Sequence, residues 1–194
     1  MSSRINGKVI VINGCPASGK TYTASLLSNQ LGIPVISKDL FKESLFDSLG
    51  FKDRQFSIEI GKASYELLLK VTTLLSQQKY SFIMENSFFS GSEERILTSL
   101  NCQEIIQVWC YAPVDILIER FTRRSLDGSR HPGHVDSKNV KEIENKILSN
   151  VYTPLKLLTP LIYLPSSDFN SSEYIETIDL IVQEYTKPLS ISGD

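Results

Sequence analysis

Residues 8–23 read KVIVINGCPASGKTYT, an apolar run that ends in a bend of small residues and then in Lys20 and Thr21. Gly14, Gly19, Lys20 and Thr21 fall at the spacing G-x-x-x-x-G-K-[ST], between a strand-like run and a segment of helical period. That order constrains the fold, because the bend works only where a strand delivers it and a helix starts from it. Backbone N–H groups between Gly14 and Gly19 then line a concave nest, and the helix N-terminus adds partial positive charge, so main chain binds phosphate. The side chains of Cys15, Pro16, Ala17 and Ser18 need only be small. Lys20 reaches the β- and γ-phosphates, and the Thr21 hydroxyl ligates Mg²⁺. The expected cofactors are ATP or an ATP-like triphosphate and Mg²⁺.

The rest of the chain reads as the scaffold such a bend needs. Five short apolar runs, at 8–13, 33–37, 80–85, 104–111 and 160–164, alternate with helix-period segments, the pattern of a parallel sheet buried on both faces. Ile60, Ala63, Leu67, Val71 and Leu74 repeat at helical spacing, as do Val114, Leu117, Ile118 and Phe121, and Val140, Ile143, Ile147 and Val151. These stripes read as core, as do Trp109 and Tyr111 in the fourth run. The expected fold is therefore α/β, a three-layer αβα sandwich around a five-stranded parallel sheet. One domain is expected over 1–194, with a flexible tail at 186–194. The loop SLDGSRHPGHVDS carries Gly and Pro but no apolar period, and it is long enough to ask for a functional reason; a short lid is expected over roughly 125–138.

Composition removes several classes. Lys and Arg number 20 against 22 Asp and Glu, a net charge of -2, which argues against wholesale coating of nucleic acid or an anionic membrane. Three cysteines in no CxxC arrangement suggest neither a disulfide framework nor a zinc cage. No apolar run approaches about 18 residues, so no membrane span is read and a cytoplasmic protein is expected, with no stable protein partner evident. A GTPase switch would need N-K-x-D, which is absent, and the D-x-x-G match at Asp47–Gly50 follows helix-like sequence. A mechanical ATPase usually ends a buried strand in adjacent carboxylates, whereas FIMEN supplies only Glu85.

The second run is more informative, because IPVISKDLFKE places Asp39 at a strand's carboxyl end, where open α/β sheets bind their ligands. A phosphotransferase needs a group there to accept the acceptor hydroxyl's proton and orient its oxygen. Lys42, one helical turn on, can face the same cleft and hold an anionic acceptor. The competing reading makes Asp39 a helix cap and Lys42 a solvated charge. Spacing leaves the two open.

GCPASGKT and SKDLFKE together resemble the P-loop kinases of the polynucleotide kinase and chloramphenicol phosphotransferase group, which includes zeta-toxin-like kinases. The closest likeness is to the 5′-hydroxyl kinase module of bacteriophage polynucleotide kinases. It implies Asp39 as general base and Lys42 as the residue gripping the acceptor's phosphate. FIMENSFFSGSEERIL is similar to a segment those enzymes write with Asp before Thr-Asn, and Glu85-Asn86 departs from it. APVDILIERFTRRSLDGSRHPGHVD resembles the helix and lid. The resemblance implies Arg124 as the lid arginine on the transferred phosphoryl and Arg120 as the residue against adenine. A guanidinium suits both tasks, being permanently charged, forked and flat; the alternative is a basic last turn complementing the helix dipole.

His131, His134 and Asp136 read either as metal ligands or, with Arg130, as contacts to phosphate or acceptor. Cys15 is either a thiol activated at a helix N-terminus or a small residue tolerated in a tight loop. The function expected is transfer of the γ-phosphoryl of ATP to a hydroxyl acceptor, carried by Lys20, Asp39 and Arg124 with Lys42 and Arg130 on the acceptor. A polynucleotide or nucleotide 5′-hydroxyl, a nucleotide-sugar or a small metabolite would suit. The alternative is an ATPase or nucleotide-responsive regulatory module without a dedicated acceptor.

Overall fold

The structure, a computed structural model, describes residues 7–100, 104–136 and 139–188. Its five strands are β1 (Lys8–Gly14), β2 (Val35–Ser37), β3 (Phe82–Glu85), β4 (Glu104–Tyr111) and β5 (Leu161–Pro165). Between and after them run α1 (Lys20–Leu31), α2 (Lys38–Leu49), α3 (Arg54–Gln77), α4 (Glu93–Leu100), α5 (Val114–Leu126), α6 (Val140–Leu148) and α7 (Ser172–Thr186). The sheet is ordered β2-β3-β1-β4-β5 and every pairing is parallel. Each of the five apolar runs became a strand.

Continuous apolar runs are what a sheet covered on both faces requires. All seven residues of β1 are buried, and its apolar residues Val9 to Ile12 alternate between two cores. Ile10 and Ile12 join Ala24 and Leu27 of α1 and Ile178 and Ile181 of α7 on one face. Val9 and Val11 join Leu68 and Leu69 of α3 and Ile96 and Leu100 of α4 on the other. A smaller cluster of Trp109, Leu117, Ile147 and Tyr152 fixes α5 and α6 beside β4. The result is the expected three-layer αβα arrangement.

Three core readings fail, one of them at Val114, which opens α5 40% exposed while Leu117 and Phe121 are buried. The stripe assigned to α3 is shifted: Leu67 and Leu74 are 40% and 52% exposed, and the buried positions are Ser57, Ile60, Ser64, Leu68, Leu69, Thr72 and Ser76. Hydroxyl side chains can occupy that buried face because the helix satisfies them. Ser64 donates to the Ile60 carbonyl at 2.7 Å and Thr72 to that of Leu68 at 2.8 Å. An apolar count cannot tell Leu67 from its buried neighbour Leu68. Tyr111 ends β4 at the surface, 39% exposed, with its ring 6.4 Å from that of Tyr163. Val151 lies past the end of α6. Most of the expected tail, residues 189–194, lies outside the described residues.

The parallel order places the carboxyl ends of β1, β2 and β3 side by side. In register, Ser37 pairs with Glu85 and Glu85 with Ile12. The phosphate-loop motif, the start of α2 and the segment after β3 therefore open onto one edge of the sheet.

Candidate active site

The loop of residues 14–19 holds its shape by backbone geometry. Gly14 sits at φ 155°, and a Cβ there would lie 2.4 Å from the Cys110 carbonyl oxygen and 2.5 Å from Ser18 Oγ. Only glycine fits. Gly19 and Ala17 both adopt left-handed conformations, at φ 82° and 65°, which turns the chain into α1. Asn13, not read from the sequence, braces the loop: its Oδ1 accepts from the Gly14 N–H at 2.8 Å and the Phe88 N–H at 2.9 Å, and its Nδ2 donates to the Thr153 carbonyl at 3.2 Å. The Gly14 amide is thus committed to Asn13, and that of Ser18 closes a turn on the Cys15 carbonyl at 3.2 Å. Lys20 is buried and donates from Nζ to the Cys15 carbonyl at 2.7 Å. Burial lowers its pKa, opposed by Glu85, Cys110 and Asp39. Burial pushes the Cys15 thiol up, against the activated-thiol reading.

Asp39 does not cap α2. That role belongs to Ser37, whose side chain accepts from the Leu40 N–H at 3.1 Å. Asp39 is left in the first turn facing the cleft, where its Oδ2 accepts from Arg130 Nη2 at 2.7 Å. Burial alone would raise its pKa, but Arg130, with Lys38 and His134, outweighs burial and holds the carboxyl well below the usual carboxylate range. Nor is Lys42 a solvated charge, being only 7% exposed. Its ammonium lies 5.4 Å from the Phe46 ring centre and makes no ion pair among the described residues. Burial first, then Lys38, lowers its pKa to about 8.

Lys20, Thr21, Asp39, Lys42, Arg124 and Arg130 all line one cavity of about 480 Å³. Glu85 joins them as a buried carboxyl at the end of β3, pushed up to about 7 by burial, with Lys20 opposing. The strand-end position in FIMEN was the signal for it. Arg124 reaches Asp136 at 3.7 Å and stacks 5.2 Å from the Phe121 ring centre, while its buried Nε has no hydrogen-bond partner among the described residues. The farther wall carries Arg54, which forks onto Glu142 at 2.7 and 3.0 Å, and the stacked rings of Phe89 and Tyr152.

Arg120 is set apart from this group. It lies outside the cavity lining and donates to the carbonyls of Ser166 and Ser167, each at 2.7 Å, in the turn after β5. Its guanidinium covers the Phe169 ring at 5.0 Å, and Phe169 in turn packs on Gly19 and Tyr22. Arg120 therefore borders the phosphate loop through Phe169 rather than lining the cavity. The histidines are also committed: His134 bonds Glu43 and Arg130, and His131 bonds Asp47 at 3.2 Å while stacking on Phe46. No group of three or more candidate metal ligands occurs among the described residues.

A parallel sheet ordered in this way, with a phosphate-loop motif between its central strand and α1, defines a P-loop α/β protein with a kinase-like fold. The AAA domain family model matches residues 9–147, and the chain belongs to that family. A solved structure of a candidate kinase from Chloroflexus aurantiacus j-10-fl superposes with a TM-score of 0.80 at 30% identity, over 95% of this chain and 100% of that one. A gluconokinase from Sinorhizobium meliloti 1021 shares the fold at a TM-score of 0.57 and 14% identity, over 93% and 96% of the two chains. In sequence, a cytidylate kinase from Methanobrevibacter smithii is 25% identical over 116 residues, 60% of this chain and 63% of that enzyme, so the match spans less than two thirds of the enzyme.

Proposed function

We propose that this protein is an ATP-dependent kinase that moves the γ-phosphoryl group to a hydroxyl of an anionic acceptor. The observation that carries the reading is the convergence on one cavity of Lys20, an ionised Asp39 that does not serve as the helix cap, and a buried Lys42 without a carboxylate partner among the described residues. A charge as costly to bury as that of Lys42 is explained by a ligand that neutralises it.

In this reading the amides of Cys15, Ala17, Gly19, Lys20 and Thr21, together with the Lys20 ammonium, cradle the triphosphate. Arg120 and Phe169 lie on the side where the base would be held. Segment 125–136 acts as the lid and delivers Arg130 to the acceptor, while Arg124 reaches toward the transferred phosphoryl from the last turn of α5. Asp39 orients the acceptor hydroxyl and takes its proton. Lys42 holds the acceptor's anionic group one helical turn from that hydroxyl. The metal implied by the fold fits these residues: Thr21 supplies a hard hydroxyl oxygen on the cavity wall, and the buried Glu85 adds the negative charge that favours a dication. When bound, Mg²⁺ neutralises charge on the phosphate oxygens.

The polynucleotide kinase likeness supports a nucleotide or a short nucleic-acid end as acceptor, and the cytidylate kinase relative supports nucleotides in general. A screen with γ-labelled ATP against 5′-hydroxyl oligonucleotides, nucleoside monophosphates, nucleotide-sugars and small hydroxyl metabolites tests the reading. Transfer to an acceptor bearing its own anionic group is expected. Steady hydrolysis to ADP with no transfer to any of them would favour an ATPase or regulatory module instead.

A further inference from the structure

We propose that His134 is a positioning residue, whose neutral ring holds the Arg130 guanidinium in register with Asp39. This rests on the phosphotransfer reading only in giving Asp39 a chemical role.

The geometry is a chain of four groups. Glu43 Oε1 lies 2.9 Å from His134 Nε2, His134 Nδ1 lies 3.3 Å from Arg130 Nη2, and the same Nη2 donates to Asp39 Oδ2 at 2.7 Å. A guanidinium can only donate, so Nδ1 must accept, the ring proton sits on Nε2, and Nε2–H donates to Glu43. Arg130 is held at its other end by Asp136, which accepts from Nε at 3.2 Å. Without the Nδ1 contact the fork keeps its carboxylates but can pivot about them.

The backbone shows that this placement is maintained under strain. Val135, the next residue, is β-branched yet sits at φ 57°, a left-handed conformation that such residues rarely adopt. It is pinned there by Asn139, whose Nδ2 donates to the Val135 carbonyl at 2.8 Å. On the other side Gly133 lies so close to Phe46 that a Cβ would fall 2.4 Å from the ring. The Phe46 ring meets the His134 ring edge-on at 5.8 Å. These contacts drive His134 inward until it is 4% exposed. Burial and the neighbouring Arg130 push its pKa down to about 3, so it remains neutral while it orients the arginine.

The test reads Asp39 directly. The titratable and charged groups facing its carboxyl are Lys38, Lys42 and Glu43 on α2, Lys20 on α1, Glu85 on β3, Arg124 on α5, and Arg130 and the neutral His134 on the lid. Carbon-13 NMR on the full chain, with aspartate labelled and the Asp39 signal identified by its loss in Asp39→Asn, follows that carboxyl through an acid titration. His134→Asn keeps an acceptor near Nδ1, His134→Gln keeps a group facing Glu43 but loses that acceptor, and His134→Phe loses both. His134 protonates before Asp39 titrates, so the Asp39 midpoint should rise in all three variants, which lack that charge, and should rise by about one pH unit more in the Phe and Gln variants than in the Asn variant, which keeps the acceptor for Arg130. His131→Phe, which perturbs lid docking without touching Arg130, should leave it unchanged.

An unshifted midpoint in His134→Phe, equal shifts in Asn and Phe, or an equal shift in His131→Phe would overturn the proposal; if Phe does not fold, Gln against Asn decides. The kinetic arm separates the two ideas. Transfer that survives Asp39→Asn removes the role of Asp39 and leaves the titration result standing. Loss of transfer in Asp39→Asn with no movement of the midpoint in the histidine variants removes only the role of His134.

Discussion

Replacing Lys42 with Met keeps the unbranched stem and deletes the charge, and the structure predicts that the change stabilises the protein. The Lys42 ammonium is buried against Phe46 and Gly61 with no carboxylate paired to it among the described residues. Burial and Lys38 bring its pKa from 10.5 down to about 8. That drop corresponds to a free-energy cost of about 3 kcal/mol for carrying the proton in the folded state. Below pH 8 both states are protonated and the cost is fully present. Between pH 8 and 10.5 the folded state releases its proton first, the unfolded chain binds more protons, and stability climbs with pH from this group. Lys42→Met should therefore be more stable than wild type by about 1–3 kcal/mol at pH 7, a Tm gain of several degrees, with the gap closing above about pH 10. Urea unfolding followed by the fluorescence of Trp109, the single tryptophan, measures it. Inorganic phosphate should stabilise wild type more than the variant, because the phosphate loop with Lys20 remains in both and only the proposed acceptor anion site at Lys42 has been removed. A variant less stable at pH 7, or a gap that persists unchanged at pH 10, would refute the idea that this charge is buried for a ligand.

Gly14→Ala should destabilise the chain by about 2–4 kcal/mol and abolish binding of a fluorescent ATP analogue, since its Cβ has no room beside the Cys110 carbonyl and Ser18; near-native stability and binding would contradict the loop geometry. Glu85→Gln should flatten the pH dependence of stability. With its pKa raised from 4.5 to about 7, Glu85 contributes stability that is full below pH 4.5 and lost as pH rises through 7, so the variant gains on wild type at pH 8 and not at pH 4 in thermal melts.

Much of the scaffold was legible because a parallel sheet covered on both faces writes its strands as short continuous apolar runs, and each such run is a strand. The phosphate loop was legible because its demands fall on consecutive residues. What escaped depends on partners distant in sequence. Nothing around Asp39 announces Arg130, which lies 91 residues away, and Asn13 shows its role only once Phe88 and Thr153 are folded against it. The buried face of α3 was misread for a local reason, since serine and threonine satisfied by their own helix are as buryable as leucine there. Arg120 and Arg124 read as one basic flank, yet the turn after β5 claims the first and the cavity takes the second. The chain of contacts through His134 was invisible, because its tautomer is set by Glu43 and Arg130 together.

The account turns on Asp39, and a single-turnover measurement with γ-labelled ATP and an acceptor found by the screen tests it most directly. With Asp39→Asn, ATP affinity should be retained and the transfer step should slow by about 10²–10⁴-fold, as expected for loss of a positioned base. Transfer at the wild-type rate in that variant, with ATP bound as before, would contradict the account.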